Sequence, residues 1–343
     1  MRRRPASLWR LRAIWKSSGA KAEAGPPSPS RISPVFEHAS NAGHRYLFRR
    51  AMTIPAADPH DEAVQALGVH PDFRVLRRLQ TIGWFHKAES QAADRVGVAV
   101  DVETTGLDRE NDRIIELAVQ RFRFDALGRV IQVGTPRVWR EDPGIPIDAK
   151  ITKLTGLSAQ HVEGQTIDES AAAEILASAD IIVAHNAAFD RPFVERRLPV
   201  IAGKPWACSM AELDWLELGF DGRALAHLVA QCGWFYEGHR AENDILALIY
   251  LLAHGLPDGE TVLAKLIACS EQSTFRVNAI DAPFDAKDRL KSRGYRWDSA
   301  LRYWWKNIGE ADRDGERTWL LSDVYGGYGE PAFIPVSACE RHR

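Results

Sequence analysis

Residues 96–107 read Val-Gly-Val-Ala-Val-Asp-Val-Glu-Thr-Thr-Gly-Leu, and this stretch organises the reading of the whole chain. Val96–Val102 is a short apolar, β-branched run of the kind a buried strand requires. At its C-terminal end Asp101 and Glu103 stand two residues apart, so on a strand they project from the same face. Gly106 then turns the chain. Two carboxylates held that close repel, and a shared proton or a divalent cation must neutralise them. Taken alone, the pair fits an exposed strand end ringed by solvated acids equally well.

Outward from this strand the pattern is that of an α/β domain. Ile114–Asp125 reads as a second strand, Leu127–Gly128–Arg129 as a turn and Val130–Arg140 as a third strand, a three-stranded meander. Helical segments are expected at Ala149–Thr155 and Glu169–Ser178, followed by an apolar strand, Asp180–Ala184, and a helix, Ala187–Arg197. After Pro205, helices are expected at Met210–Leu216, Arg223–Cys232 and Arg240–Ala253. Strands first and then strands mixed with helices imply a central sheet covered by helices.

Two further runs carry chemistry. His185–Asn186–Ala187–Ala188–Phe189–Asp190 follows the apolar strand. Asn186 suits an N-cap, and Asp190 then lies about one turn into the helix. His239–Arg240–Ala241–Glu242–Asn243–Asp244 opens an otherwise apolar helix, with His239 at its start and Asp244 within it. Each run alone has a bland reading, a solvated acid or a capping histidine. Together they offer four carboxylates and one histidine at the ends of regular elements, in an order that can converge them at one sheet edge. Hard oxygen ligands of this kind hold two Mg²⁺ or Mn²⁺ ions. Such a pair clamps the attacking and leaving oxygens of a phosphodiester, while a neutral imidazole removes a proton from water near pH 7.

These runs resemble the DEDD exonucleases, in the branch with histidine in the third motif. Asp101–x–Glu103 with Thr104–Thr105–Gly106–Leu107 matches the first motif, His185–Asn186–x–x–Phe189–Asp190 the second and His239–x₄–Asp244 the third. The sister branch has Tyr four residues before the last Asp, where this chain has Arg240. Asp112–Leu117, Ile151–Leu157 and Cys208–Ser209–Met210 are also similar to the bacterial DNA polymerase III epsilon, or proofreading, subunits. The likeness covers Val96 to Ala253.

It implies a ribonuclease H-like fold and a 3′→5′ exonuclease of proofreading or repair type, releasing nucleoside monophosphates from DNA. It also implies roles. Asp101 would bridge two metals, Glu103 and Asp244 would hold the metal carrying the attacking water, Asp190 would serve the second metal and His239 would be the general base. Thr104, Thr105 and Gly106 would meet the 3′-terminal nucleotide through backbone amides, and Leu107 would wedge against the last bases. Asn186 is a substrate-side candidate as well as a helix-boundary residue. RNA 3′-end trimming is the alternative substrate, and a DNA polymerase catalytic subunit is a candidate partner. A non-catalytic nucleic-acid scaffold is the alternative from another class, and the complete acid set argues against it. The clamp-binding peptide of replicative subunits has only a poor echo at Gln272–Phe275.

Composition sets the remaining bounds. The chain has 343 residues, 45% apolar and 26% charged, long enough for two domains. No apolar run approaches the roughly 18 residues that a membrane helix needs. Cys208, Cys232, Cys269 and Cys339 are scattered, which excludes a zinc ribbon or disulfide scaffold and fits a reducing cytoplasm. Residues 1–51 carry 11 Lys/Arg against 2 Asp/Glu, leaving 33 basic and 44 acidic side chains in the rest. Residues 1–58 therefore read as a disordered basic extension, transit-like in composition but without a secretory core, with Met52 an alternative first residue. A helical lead-in is expected over 59–95 and the exonuclease-like domain over 96–256.

A separate small unit is expected at 270–310. After a short helix near Leu263–Ala268, strands are predicted at Thr274–Ile280, Tyr295–Trp297 and Tyr303–Lys306, with a helix at Asp285–Arg293. This unit resembles an uncharacterised module that accompanies nucleic-acid enzymes. From Ser273 to Lys306 it has 8 Lys/Arg against 4 Asp/Glu, interleaved with Tyr295, Trp297, Tyr303, Trp304 and Trp305. That composition suits a stacking platform for single strands, although so small a unit must also bury aromatics to fold. Residues 311–343 read as a Gly-rich, frayed tail.

Overall fold

The computed structural model describes residues 60–86, 91 and 93–342; the basic extension expected over 1–58 lies outside them. A helix, α1 (Asp61–Gly68), and a two-residue strand, β1 (Arg77–Arg78), lead into the main sheet. That sheet is built from β2 (Arg95–Thr104), β3 (Ile114–Phe124), β4 (Val130–Val133), β5 (Arg137–Arg140), β6 (Ile181–Ala184) and β7 (Trp206–Cys208). Helices α2 (Ala149–Thr155), α3 (Ala159–Val162) and α4 (Glu169–Ala177) separate β5 from β6, and α5 (Ala187–Arg197) separates β6 from β7. Then come α6 (Leu225–Gln231), β8 (Trp234–Phe235), α7 (Ala241–Leu252) and α8 (Val262–Glu271). The C-terminal unit comprises β9 (Thr274–Ala279), α9 (Lys287–Ser292), β10 (Arg296–Asp298), β11 (Tyr303–Gly309), α10 (Arg313–Trp319) and β12 (Ala332–Val336).

The main sheet runs β4-β3-β2-β6-β7, with β5 also on β3. β3 is antiparallel to β2, β4 and β5, whereas β6 is parallel to β2 and to β7. This is a mixed, helix-covered central sheet, as the resemblance implied. Strand alternation sends Val98, Val100 and Val102 into one core, with Phe193 and Val194 of α5 and Leu176 of α4. Ala99 faces the other way, into the core occupied by Ile245, Leu248 and Leu252 of α7. The α7 run is apolar nearly all round because it lies between the sheet and α6 and α8. Each such side chain contributes roughly 1.5–3 kcal/mol by leaving water. Gly97 lies under the Phe122 ring, where any side chain would collide.

Several expectations need correction. The predicted third strand is two, β4 and β5, both on β3; Pro136 between them has no N–H for the ladder. The lead-in is helical only over α1. Pro71 disfavours helix at the preceding residue, and the Arg77–Arg78 segment instead pairs in parallel with Trp234–Phe235. No helix forms at Met210–Leu216, because the Asp214 carboxylate captures the Leu216 and Glu217 amides and the buried Trp215 indole donates to the Ser209 carbonyl. The strand β7 escaped the sequence reading, since three residues after a proline carry no periodicity.

The chain beyond residue 310 is not a frayed tail. It forms α10, a π-helical turn at Leu320–Val324 and β12, which completes a four-stranded sheet ordered β10-β11-β9-β12. Residues 338–341 then return to the main domain. Arg191 of α5, fully buried, pairs with Glu195 and donates to the carbonyls of Ala338, Cys339 and Arg341. The Trp206 amide donates to the same Ala338 carbonyl, and the Arg341 guanidinium pairs with Glu212 at 2.7 Å. Removing one member of a buried charged network leaves the others unpaired, which typically costs about 3–5 kcal/mol. Arg191→Met is therefore expected to lower the urea midpoint by that amount of stability and to expose residues 337–342 to proteolysis. An unchanged midpoint would show that the returning segment is not bound through Arg191.

Candidate active site

β2 ends where the sheet splays, and a bulge at Glu103–Thr104 marks the spot. Asp101 and Glu103 share the α7 face of the sheet, and the first turn of α7 supplies Asp244. One carboxylate oxygen from each of Asp101, Glu103 and Asp244 lies within 4.8 Å of the others. The N-terminal end of a helix dipole favours an acid in this place. Asp190, buried in α5, stands beside the trio rather than in it, with its Oδ1 accepting from the Val102 amide at 3.1 Å. The structure thus gathers all four predicted carboxylates, three of them tightly.

Their mutual repulsion is visible in their proton affinities. Burial, and then the charges of Asp190, Asp244, Glu103 and Glu116, push the Asp101 carboxyl well above the ordinary carboxylate range. Burial and Asp244 push Glu103 up to about 8. Asp190 rises to about 7, again through burial, against the Val102 hydrogen bond. Burial also raises Asp244, moderated by hydrogen bonds from the Tyr236 hydroxyl and the Arg240 amide. No Lys or Arg among the described residues forms an ion pair with Asp101, Glu103 or Asp244. A crowded set of oxygen donors with no directly paired cation fits a hard divalent cation such as Mg²⁺ or Mn²⁺.

Three surrounding residues were not singled out by the sequence reading. Glu116 of β3 sits directly opposite Glu103 in the sheet register, buried. Arg140 of β5 pairs with it at 3.1 Å, and Arg240 approaches its other oxygen at 3.6 Å. The signal was available: Glu116 is the one charge in the apolar run Ile114–Val119. Tyr236, whose hydroxyl donates to Asp244 Oδ1 at 2.8 Å, had no comparable signal.

The remaining candidates divide. His239 is exposed and adopts a left-handed φ of 64° just ahead of α7. For a non-glycine residue that conformation is uncommon and costly, and it marks sites where orientation matters. From there His239 tempers the rise of the Asp244 pKa. Leu107 is 83% exposed beyond the strand end. Thr104 and Thr105 are buried, and their hydroxyls bond within the turn to the Gly106 carbonyl and to Asp112. The Thr105 amide already donates to the Arg113 carbonyl, so it is removed from the proposed 3′-end donors. Gly106 packs on the Asp112 carboxylate, which leaves no room for a side chain. Asn186 occupies the N-cap position of α5 but makes no side-chain capping bond; its carbonyl accepts from the Phe189 and Asp190 amides. His185 is structural. Its Nε2 lies 2.8 Å from the Arg223 carbonyl and its Nδ1 2.8 Å from the Ser209 hydroxyl, and burial lowers its pKa to about 4.

Residues 98–252 match the RNase_T family model, described as Exonuclease. The chain is 37% identical over 183 residues to a PolC-type DNA polymerase III of Clostridium perfringens, an alignment covering 48% of this chain and 11% of that protein. It is 34% identical over 166 residues to the 3′-5′ exonuclease DinG of Bacillus subtilis, covering 45% of this chain and 17% of that one. The chain thus spans less than a fifth of the length of either curated relative. Among solved structures, E. coli exonuclease I in complex with a dA16 oligonucleotide aligns with a TM-score of 0.41 at 15% identity, covering 62% of this chain and 63% of that one.

The raised carboxylates have a consequence for stability. A carboxyl whose pKa is higher folded than unfolded binds more protons in the native state, so stability falls as pH rises through that interval. The buried His185 and His254, both lowered to about 4, act in the opposite sense, but only below their ordinary value of 6.5. Between pH 6.5 and 8 the carboxylates act alone. The melting temperature in EDTA is expected to fall across that window, and the gain on adding Mn²⁺ is expected to grow with it. Glu103→Gln should flatten the EDTA profile; a wild-type profile already flat from pH 6.5 to 8 would contradict the crowding.

Proposed function

We propose that this chain is a metal-dependent exonuclease that removes nucleotides from the 3′ end of DNA. The observation that carries the reading is the convergence of Asp101, Glu103 and Asp244 within the segment that matches the exonuclease family model, with Asp190 beside them. The 3′→5′ direction and DNA as substrate are supported by the names of the relatives, a DNA polymerase and a 3′-5′ exonuclease. A polymerase catalytic subunit is the protein partner that the first of these suggests.

Asp101, Glu103 and Asp244 would hold the cations, with Asp190 completing the second position. Bound Mg²⁺ or Mn²⁺ would supply electrostatic stabilisation of the attacking and leaving oxygens. Tyr236 fixes the orientation of Asp244 by donating to one oxygen and leaving the other free of that bond. Arg140 and Arg240 pair with Glu116 behind the site. His239, exposed before α7, takes the proton of the attacking water. Leu107 meets the terminal base, and the buried turn Thr104–Thr105–Gly106 sets the depth to which the strand end can enter.

Asp101→Asn is expected to abolish shortening of a 5′-labelled single-stranded DNA while leaving the circular dichroism spectrum unchanged, and EDTA should stop the wild-type enzyme equally. Turnover near wild type in the variant would sink the assignment. A matched RNA oligonucleotide degraded faster than the DNA would replace DNA by RNA as substrate. His239→Ala should slow cleavage roughly 10²–10⁴-fold, the range for a lost general base, with metal affinity by calorimetry nearly unchanged. A collapse of metal affinity in step with rate would make His239 a ligand.

A further inference from the structure

In the C-terminal unit, most of the aromatic side chains serve the fold. Tyr295 is buried, with its hydroxyl on Glu316 at 2.9 Å, and Trp304 and Trp319 pack against the unit's core of Phe275, Val277, Leu290 and Ile308. Trp297 does not. It is 50% exposed on the edge strand β10, paired across the ladder with Trp304 at a ring separation of 5.5 Å. An indole held open to water on a rigid, tryptophan-backed strand is a flat surface of fixed orientation.

The charges around it are unbalanced. Asp298 is engaged by Arg276 at 3.4 Å and by the Ala300 and Leu301 amides of the hairpin turn. Glu316 is engaged by Arg293, Lys306 and Tyr295. Asp298 and Glu316 are thereby used inside the unit. Lys291, Arg296 and Arg302 are exposed, and among the described residues none of them forms an ion pair. Lys291 sits over the Trp304 ring at 5.9 Å, on the face that carries Trp297, whereas Arg296 lies over Trp305 at 5.9 Å on the opposite face of the same edge strand. Arg302, at a left-handed φ of 59°, follows the hairpin turn.

We propose that the β10–β11 hairpin is a binding site for single-stranded nucleic acid, separate from the carboxylate site, in which a base stacks on Trp297 and the backbone crosses the edge strand β10, so that phosphates meet Lys291 and Arg302 and, on the far face, Arg296. An open π face beside unpaired cations is complementary to a base and its backbone together. A purely apolar protein partner would leave those three charges without counter-ions. The site reads stacking and phosphate only, so DNA and RNA single strands of equal length are bound alike. The inference does not depend on cleavage chemistry.

The test uses the full chain in EDTA, which suppresses hydrolysis, with anisotropy of labelled dT30 and U30 across a salt series. Trp297→Ala should weaken both by roughly 5- to 150-fold, the range for losing one base–aromatic stack. Lys291→Gln/Arg296→Gln should lower the slope of log affinity against log salt by about 1.4, given about 0.7 per phosphate contact on single strands. Both variants should melt with the wild type, because the altered side chains are exposed. If Trp297→Ala alone unfolds, the salt slope of the double variant still decides. Wild-type affinity and slope in the folded variants would overturn the proposal, including the case in which the hairpin docks a protein instead.

Discussion

Everything around the carboxylate site answers one constraint: several negative charges must be held within a few ångströms of one another in a folded protein. At 4 Å, like charges repel by about 4 kcal/mol even at an effective dielectric near 20, so the arrangement must be imposed by elements that are stable for other reasons. β2 does this by burying Val98, Val100 and Val102 on one face and Ala99 on the other. α7 does it by burying an almost wholly apolar helix behind Asp244. The two are packed against each other, and their polar ends meet. Arg140 and Arg240 form their ion pairs with Glu116; Arg240 only tempers the rise in the Glu103 pKa, and no cation among the described residues pairs directly with the trio.

This division explains what the sequence could reveal. β2, β3 and α7 were legible because each is long enough for an apolar run to show, and α5 because it follows the apolar β6 at the N-cap candidate Asn186. The convergence of the acids followed from strand parity and the order of elements. Legibility failed where structure depends on contacts distant in sequence. β7 is three residues with no pattern of its own, and it is a strand because β6 lies beside it. Arg77–Arg78 is extended because Trp234–Phe235 offers a partner. The turns at Met210–Leu216 follow from Asp214 capturing amides, a local competition that an apolar count overlooks.

Glu116 teaches a different lesson. Its position in an apolar strand was plain, yet its meaning depends on register: only the pairing of β2 with β3 sets it opposite Glu103. Like charges directly across a ladder are ordinarily destabilising. Two arginines from elements on either side offset that cost, and neither is near Glu116 in sequence. Asn186 shows the converse, a residue whose type and position both suit a cap and whose side chain nonetheless does not make one.

The anchoring of Arg191 also ties distant parts of the chain together. Its carbonyl partners lie 147 to 150 residues further along the chain. The entropic cost of closing a loop grows only slowly with its length, so a few buried charge-assisted hydrogen bonds suffice to hold so remote a segment. Arg191 is the residue next to Asp190 on α5, so the helix that presents one of the four carboxylates is the same helix that grips the C-terminal segment. Whatever loosens residues 338–341 is therefore felt one residue away from the site, and the carboxylates and the C-terminal segment share a single mechanical support.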